Sequence, residues 1–222
     1  EHSPEAVAWV GDDRELDPRG AIQLWRQVDA RCRRLASGLR GLGVGPGDTV
    51  AVMCPNIPPM LEAHYGIPMA GAVLNALNTR LDAATIAFIL GHGEAKVLVV
   101  PKAFRGFDHE VMAGTLRADL PDLSRVIVAG RGGEGSFEAL LLDPVLDDAP
   151  GLRALSLRDR GDANAVCQLI YTSGTTGEPK GVMHTSNTML SNLAPFAERL
   201  GLGTADVVHM PSPLAHQLGF MY

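Results

Sequence analysis

The stretch Val166-Cys167-Gln168-Leu169-Ile170-Tyr171-Thr172-Ser173-Gly174-Thr175-Thr176-Gly177-Glu178-Pro179-Lys180-Gly181 decides how this chain is read. Val166 to Ile170 is apolar apart from Gln168, which suits a strand buried on both faces. The composition then changes abruptly. Gly174, Gly177 and Gly181 interrupt a run of hydroxyls at Thr172, Ser173, Thr175 and Thr176, and Glu178, Pro179 and Lys180 follow. Glycine lets the backbone approach a ligand closely and take positive φ. Successive N–H groups in such a loop form a concavity that binds anions. Hydroxyls add donors, and Lys180 adds a mobile positive charge suited to phosphate. The pattern predicts that Thr172 to Lys180 holds a polyphosphate.

The spacing separates this loop from the common P-loop. That motif is GxxxxGK[ST], with the lysine directly after the last glycine. Here Glu178 and Pro179 stand between Gly177 and Lys180, and Gly181 follows. Ser173 lacks the GxSxG surroundings of a nucleophile elbow. The competing reading is a plain surface loop of turn-forming residues. An ordered Ser/Thr/Gly/Lys string directly after a buried strand favours phosphate over it. A second glycine-rich stretch, Gly41 to Asp48, follows a helix and lacks GxGxxG spacing. It reads as a helix stop and a turn.

Outward from the loop, strand and helix patterns alternate. Val7 to Val10 and the residues after Gly11-Asp12-Asp13 read as a short hairpin. A helix is expected from Ala21 to Leu42, with Trp25, Val28, Cys32, Leu35, Leu39 and Leu42 on one face. Arg26, Arg31, Arg33, Arg34 and Arg40 lie largely off that face and read as a solvated surface. Thr49 to Cys54, Ala72 to Leu77, Lys96 to Val100, Arg125 to Ala129 and Val166 to Tyr171 read as strands. Gly181 to His184 reads as an extended segment, and Val207 to Met210 as a last short strand. Between them, Asn56 is expected to cap a helix that opens with Pro58 and Pro59. Pro68 ends or kinks that helix. Asp82 caps a helix stopped at Gly91-His92-Gly93, Val111 to Leu120 forms another, and Ser186 caps one running to Leu200. Apolar strands alternating with helices predict an α/β fold with a mostly parallel sheet covered by helices. Residues 144–161, rich in Asp, Pro and Arg, mark a candidate subdomain boundary.

Composition narrows the partners. The 222 residues are 46% hydrophobic and 20% charged, enough for a sizeable core. The net charge is −6 and no basic stretch stands out, which argues against nucleic acid as the main partner. Cys32, Cys54 and Cys167 are far apart, form no CxxC pair, and read as buried free thiols. No apolar run has the length of a membrane span, and a cytoplasmic location is expected. A chain that opens on Glu1 and stops in the apolar Gly219-Phe220-Met221-Tyr222 is expected to be incomplete. Oligomeric state is not legible.

Tyr171 to Gly181 together with Val182-Met183-His184-Thr185 resembles the phosphate-loop signature of the adenylate-forming (AMP-binding) superfamily, which includes acyl-CoA synthetases. Leu35 to Leu39, Gly43 to Ala51, Gly71 to Val73 and Leu77 to Leu81 resemble further blocks of that family, in its order. The resemblance implies part of the large N-terminal domain, with the C-terminal domain absent. It implies ATP-dependent activation of a carboxylic acid to an acyl-adenylate, followed by transfer to coenzyme A. Thr172, Ser173, Gly174, Thr175, Thr176, Gly177, Glu178, Pro179 and Lys180 would hold the β- and γ-phosphates. Mg2+ would bridge phosphate oxygens, and no protein metal ligand is assigned.

Met210 to Phe220 resembles the family segment where a His or aromatic residue lies beside the acyl and adenylate groups. His216 matches that position, so His216 and Lys180 are the candidate catalytic residues. Pro213 to Phe220 and Met183 to Thr188 are similar to medium-chain and cyclohexanecarboxylate-type CoA ligases, although many relatives have His where Ser186 stands here. The remaining histidines, His2, His64, His92, His109, His184 and His209, read as structural. Rival readings are an adenylation domain that loads a carrier protein, a non-catalytic fragment, and a P-loop NTPase, the last disfavoured by the lysine spacing.

Overall fold

A computed structural model describes residues 4–10, 22–130, 133, 135–141, 162–172 and 177–221. Residues 144–161, the candidate boundary, lie outside them. The described chain opens with β1 (Val7–Val10) paired antiparallel to β2 (Ile22–Leu24). The expected hairpin therefore exists, but its second strand is the segment read as the start of the first helix. Helix α1 spans Trp25–Gly41. Leu24 is still extended at φ −88°, and its N–H donates to Gln27 Oε1 at 2.8 Å. That side-chain acceptor fixes the helix start four residues later than the apolar pattern suggests.

Six strands then form one sheet. These are β3 (Thr49–Val52), β4 (Val73–Ala76), β5 (Ala95–Pro101), β8 (Arg125–Ala129), β9 (Val166–Thr172) and β10 (Lys180–Thr185). Their order is β10-β9-β4-β3-β5-β8, and every pair is parallel except β10 with β9. Helix α2 (Pro58–Met69) links β3 to β4, and α3 (Ala83–His92) links β4 to β5. Helix α4 (His109–Asp119) links β5 to β8, after the small hairpin of β6 (Ala103–Phe104) and β7 (Phe107–Asp108). Arg105 and Gly106, at φ 52° and 79°, make its two-residue turn.

The helices take opposite faces. Leu35 and Leu39 of α1, Met60, Ala63 and Ile67 of α2, and Phe137 and Leu141 of α5 (Phe137–Leu141) pack with Val50, Val52, Leu74, Val97 and Val99. Ile86, Ile89 and Leu90 of α3 pack with Met112 and Ala113 of α4 against Ala51, Leu98 and Val100. The mostly parallel sheet covered on both faces is thus as the alternating pattern predicts. The chain leaves β3 toward one face and β4 toward the other. The crevice between their carboxyl ends is the place where open α/β sheets bind ligands.

Several local expectations change. Asn56 does not cap α2. Ile57 occupies that position without a side-chain cap, and the helix relies on Pro58 and Pro59 in its first turn. The helix from Ser186 is α6 (Ser186–Leu200), and Thr185 caps it, its hydroxyl accepting from Thr188 N–H at 3.1 Å. Val207 to Met210 is not a strand. Its alternation is that of a strand, but no described strand lends it backbone partners, and Val207 is 90% exposed. Arg31 is not simply solvated. Its guanidinium pairs with Glu62 through Nε and with Glu138 Oε1 through Nη2 at 2.9 Å, tying α1 to α2 and α5. Glu62 is fully buried, so the pair supplies the countercharge that its carboxylate needs. Cys32 and Cys54 are buried free thiols as expected, whereas Cys167 is only half-buried.

His64 on α2 is also buried. Its ring stacks on Phe220 at 3.9 Å, which pins α7 (Gln217–Met221) onto α2, and Nδ1 lies 2.8 Å from the Met60 carbonyl. Burial lowers its pKa to about 4, opposed in part by the Met60 and Leu214 backbones.

Two outcomes follow from this packing. Arg31→Ala removes the guanidinium paired with the buried Glu62 carboxylate and should cost roughly 3 kcal/mol in urea unfolding, and a loss under about 1 kcal/mol would show that the pair contributes little. His64 is neutral when folded and titrates near pH 6.5 when unfolded. The unfolded chain alone binds the proton between pH 6.5 and about 4, so stability falls as pH drops through that window. Between pH 7 and 5 the share from His64 is about 2 kcal/mol. The unfolding free energy of a His64→Leu variant should lack that part of the slope.

Candidate functional site

The phosphate loop joins β9 to β10 at the edge of the sheet. Thr172 pairs with Lys180, and Tyr171 pairs with Gly181 directly beneath. Residues 173–176, with the predicted donors Ser173, Gly174, Thr175 and Thr176, lie outside the described residues. Of the rest, Thr172, Gly177, Glu178 and Lys180 are exposed and Pro179 is half-buried. Gly177 takes φ +96°, a conformation that requires glycine for low strain. Gly181 serves differently from the expectation of positive φ. The Tyr171 ring lies over it, and a Cβ there would stand 3.2 Å from Cζ. Lys180 heads β10, and among the described residues it makes no ion pair. Its side chain is exposed.

Parallel pairing places β9, β4 and β3 with their carboxyl ends on one edge. Thr172 ends β9 there. Asn56 follows β3 on the same edge, two strands away, a separation of about 10 Å at ordinary strand spacing. Its amide grips a remote segment at both ends. Nδ2 donates to Ser212 O and Oδ1 accepts from Leu214 N–H, each at 2.8 Å. Those two bonds bring residues 212–214, and with them His216, to the edge that carries the loop.

His216 itself is exposed. Its backbone N–H donates to Pro213 O at 2.9 Å, and its Nδ1 accepts from Leu218 N–H at 3.2 Å. The bond at Nδ1 fixes the tautomer with the proton on Nε2. Leu214 and Ala215 beside it are buried in the α2 core. The two predicted catalytic residues thus stand on a common sheet edge, Lys180 on the edge strand β10 and His216 on a segment held beside the end of β3.

Three contributors escaped sequence reading. Asn56 looked like a helix cap, because a polar residue before Pro-Pro fits that role. His64 and His92 looked structural, and neither spacing nor composition marks a partner more than seventy residues away. Yet His92 Nδ1 lies 2.7 Å from the Tyr171 hydroxyl, at the root of the loop. Beneath the loop, Gln168 and His184 are buried on adjacent strands, and Gln168 Nε2 and Oε1 and His184 Nε2 lack hydrogen-bond partners among the described residues. No three His, Cys, Asp or Glu side chains gather into a metal-ligating cluster among the described residues.

Comparison with known proteins identifies the family. The family model described as AMP-binding enzyme matches residues 1–222. The chain is 40% identical to the peroxisomal acetate/butyrate–CoA ligase AAE7 of Arabidopsis thaliana over 181 residues, 72% of this chain and 29% of that protein. It is 33% identical to the 2-methylpropanoate–CoA ligase CCL4 of Humulus lupulus over 98% of this chain and 40% of that protein. The inhibitor-bound N-terminal domain of FACL13 from Mycobacterium tuberculosis superposes with a TM-score of 0.73 at 28% identity, covering 99% of this chain and 50% of that one. The chain therefore spans well under half the length of these two curated relatives. A full-length family match, a shared sheet and a phosphate-type loop at its carboxyl edge agree, and the chain belongs to the AMP-binding enzyme family.

Proposed function

We propose that this chain is the front part of an acid–thiol ligase, which activates a carboxylic acid with ATP and transfers the acyl group to coenzyme A. The observation that carries the proposal is the Thr172–Lys180 loop, anchored by strand pairing at the carboxyl edge of a parallel sheet. In the first step the acid's carboxylate oxygen attacks the α-phosphorus of ATP, and pyrophosphate leaves. In the second a thiolate attacks the acyl carbon and AMP leaves. The loop's N–H groups and hydroxyls and the Lys180 ammonium hold the β- and γ-phosphates and neutralise the departing charge. Magnesium, when bound with the nucleotide, would help neutralise the phosphate charge, and no residue of this chain is assigned as its ligand.

His216, presented by the Asn56 clamp, lies beside the acid and the acyl-adenylate in this reading. Its Nε2–H is the free donor, because Nδ1 is occupied by Leu218 N–H. The named relatives act on short aliphatic acids. An aliphatic or alicyclic acid is the proposed substrate class. The cytoplasm is the proposed location. No described helix is long and apolar enough to cross a membrane. The Arabidopsis relative is named as peroxisomal, so cell fractionation decides this point.

The 222 residues alone should form no acyl-CoA. The relatives are more than twice as long, and the far end of this chain leaves large apolar side chains uncovered, among them Met183, Leu190, Leu200 and Val208. Acyl-CoA production by this piece would overturn that statement. The longer polypeptide should catalyse ATP–pyrophosphate exchange only when its acid is present. Hydrolysis without an acid would point to an NTPase, and exchange without transfer to coenzyme A would point to carrier-protein loading. Lys180→Met should cut exchange at least about tenfold, as expected for losing a charged phosphate contact. Asn56→Ala should raise the KM for the acid more than that for ATP.

A further inference from the structure

The loop's footing extends beyond its two strands. Tyr171, the last residue before Thr172, sends its side chain off the sheet toward the face covered by α3. Its ring covers Gly181 on β10. Its hydroxyl meets His92 Nδ1 at 2.7 Å, and the two rings stand edge to face, 5.9 Å apart at 86°. The hydroxyl also sits in a slot built for it. A Cβ at Gly93 would lie 3.3 Å from Tyr171 Oη and 3.1 Å from Asn75 Nδ2, closer than ordinary contact allows.

His92 is itself immobilised. It is the last residue of α3, and its ring stacks on Phe88 one turn earlier, at 5.5 Å and 16°. The helix is capped at its start by Asp82, which accepts from Thr85 N–H at 2.9 Å and from Thr85 Oγ1 at 2.8 Å. Ile86, Ile89 and Leu90 lock the helix into the core beneath. The tyrosine is thereby held by a rigid helix, whereas β10 on the other side of the loop is an edge strand. A hairpin at a sheet edge, held on one side only, can twist about its strands. A third attachment at its root removes that freedom.

We propose that His92 is a positioning residue for the phosphate site, acting through the Tyr171 hydroxyl to fix the root of the β9–β10 hairpin, where Thr172 and Lys180 pair, opposite a bound polyphosphate. The inference rests on the reading of that loop as a phosphate site. A tyrosine hydroxyl is protonated at neutral pH, and burial raises the Tyr171 pKa further, so this hydroxyl is available as the donor. Without the bond Thr172 and Lys180 remain paired, but the hairpin root that carries them is less firmly oriented. Binding then weakens while the fold stays intact, since His92 is exposed and its loss opens no cavity.

Inorganic tripolyphosphate, titrated calorimetrically into the 222-residue chain, tests this directly. Tyr171→Phe keeps the ring over Gly181 and removes only the hydroxyl. His92→Phe keeps a ring against Phe88 and removes the polar partner. Each should raise Kd about fivefold, the equivalent of one neutral hydrogen bond, with the unfolding midpoint unchanged. The double variant should bind no worse than either single one, because both remove the same bond. Unchanged binding in His92→Phe, or penalties that multiply in the double variant, would overturn the proposal while the loop reading stands. A wild-type chain that fails to bind tripolyphosphate would sink the loop reading and this inference together.

Discussion

Parallel hydrogen bonding among β9, β4, β3, β5 and β8 is the constraint on which the remaining geometry depends. It forces every strand to end on the same edge, so whatever follows a strand is delivered there. The loop after Thr172 and Asn56 after β3 are neighbours for that reason alone. The second constraint is the choice of face. Because α2 and α3 leave β3 and β4 toward opposite faces, the two helices part at the crevice between those strand ends. The sheet therefore creates an open position that side chains from distant parts of the chain can approach.

How the two candidate segments reach it differs in kind. The loop is positioned by strand pairing, with Thr172 opposite Lys180. The His216 segment has no strand to hold it. Asn56 supplies two hydrogen bonds instead, and the His64–Phe220 stack fixes the far end. Two neutral hydrogen bonds are together worth about 2 kcal/mol, far less than a buried strand. The loop thus rests on main-chain pairing, whereas the His216 segment rests on side-chain contacts, with Leu214 and Ala215 buried in the core beside it.

Period and punctuation made the core strands, the helices and the loop legible from sequence. Thr49 to Val52 and Lys96 to Val100 are continuous apolar runs, and Asp82 caps α3 as predicted. What failed were elements decided by partners remote in sequence. Ile22 to Leu24 carries helix-compatible residues but pairs with Val7 to Val10. Val207 to Met210 alternates like a strand but finds no strand beside it. Arg31 looked like a surface charge because nothing local shows that Glu62 is buried thirty-one residues later. At the candidate site, the positive φ of Gly177 was readable because a glycine turn is local chemistry. Asn56 and His92 were not, because each acts on a segment whose position only the folded sheet determines.

The buried polar groups show where the sheet departs from a purely structural design. Away from its ends, the half made of β3, β5 and β8 buries apolar side chains. Asn75, Gln168 and His184 lie on β4, β9 and β10, the three strands nearest the loop, and all are buried. Both polar atoms of the Asn75 and Gln168 side chains lack partners among the described residues. Each such group costs about 1–3 kcal/mol relative to a satisfied one, and three together are a large share of a domain's net stability. A sequence under selection for stability alone would place valine or leucine at these positions, as it does on β3 and β5. Departures of this kind gather at functional sites. Asn75 supports that account, since its amide borders the slot that receives the Tyr171 hydroxyl. The polar half of the sheet is thus continuous with the footing of the loop, and the apolar half stabilises both.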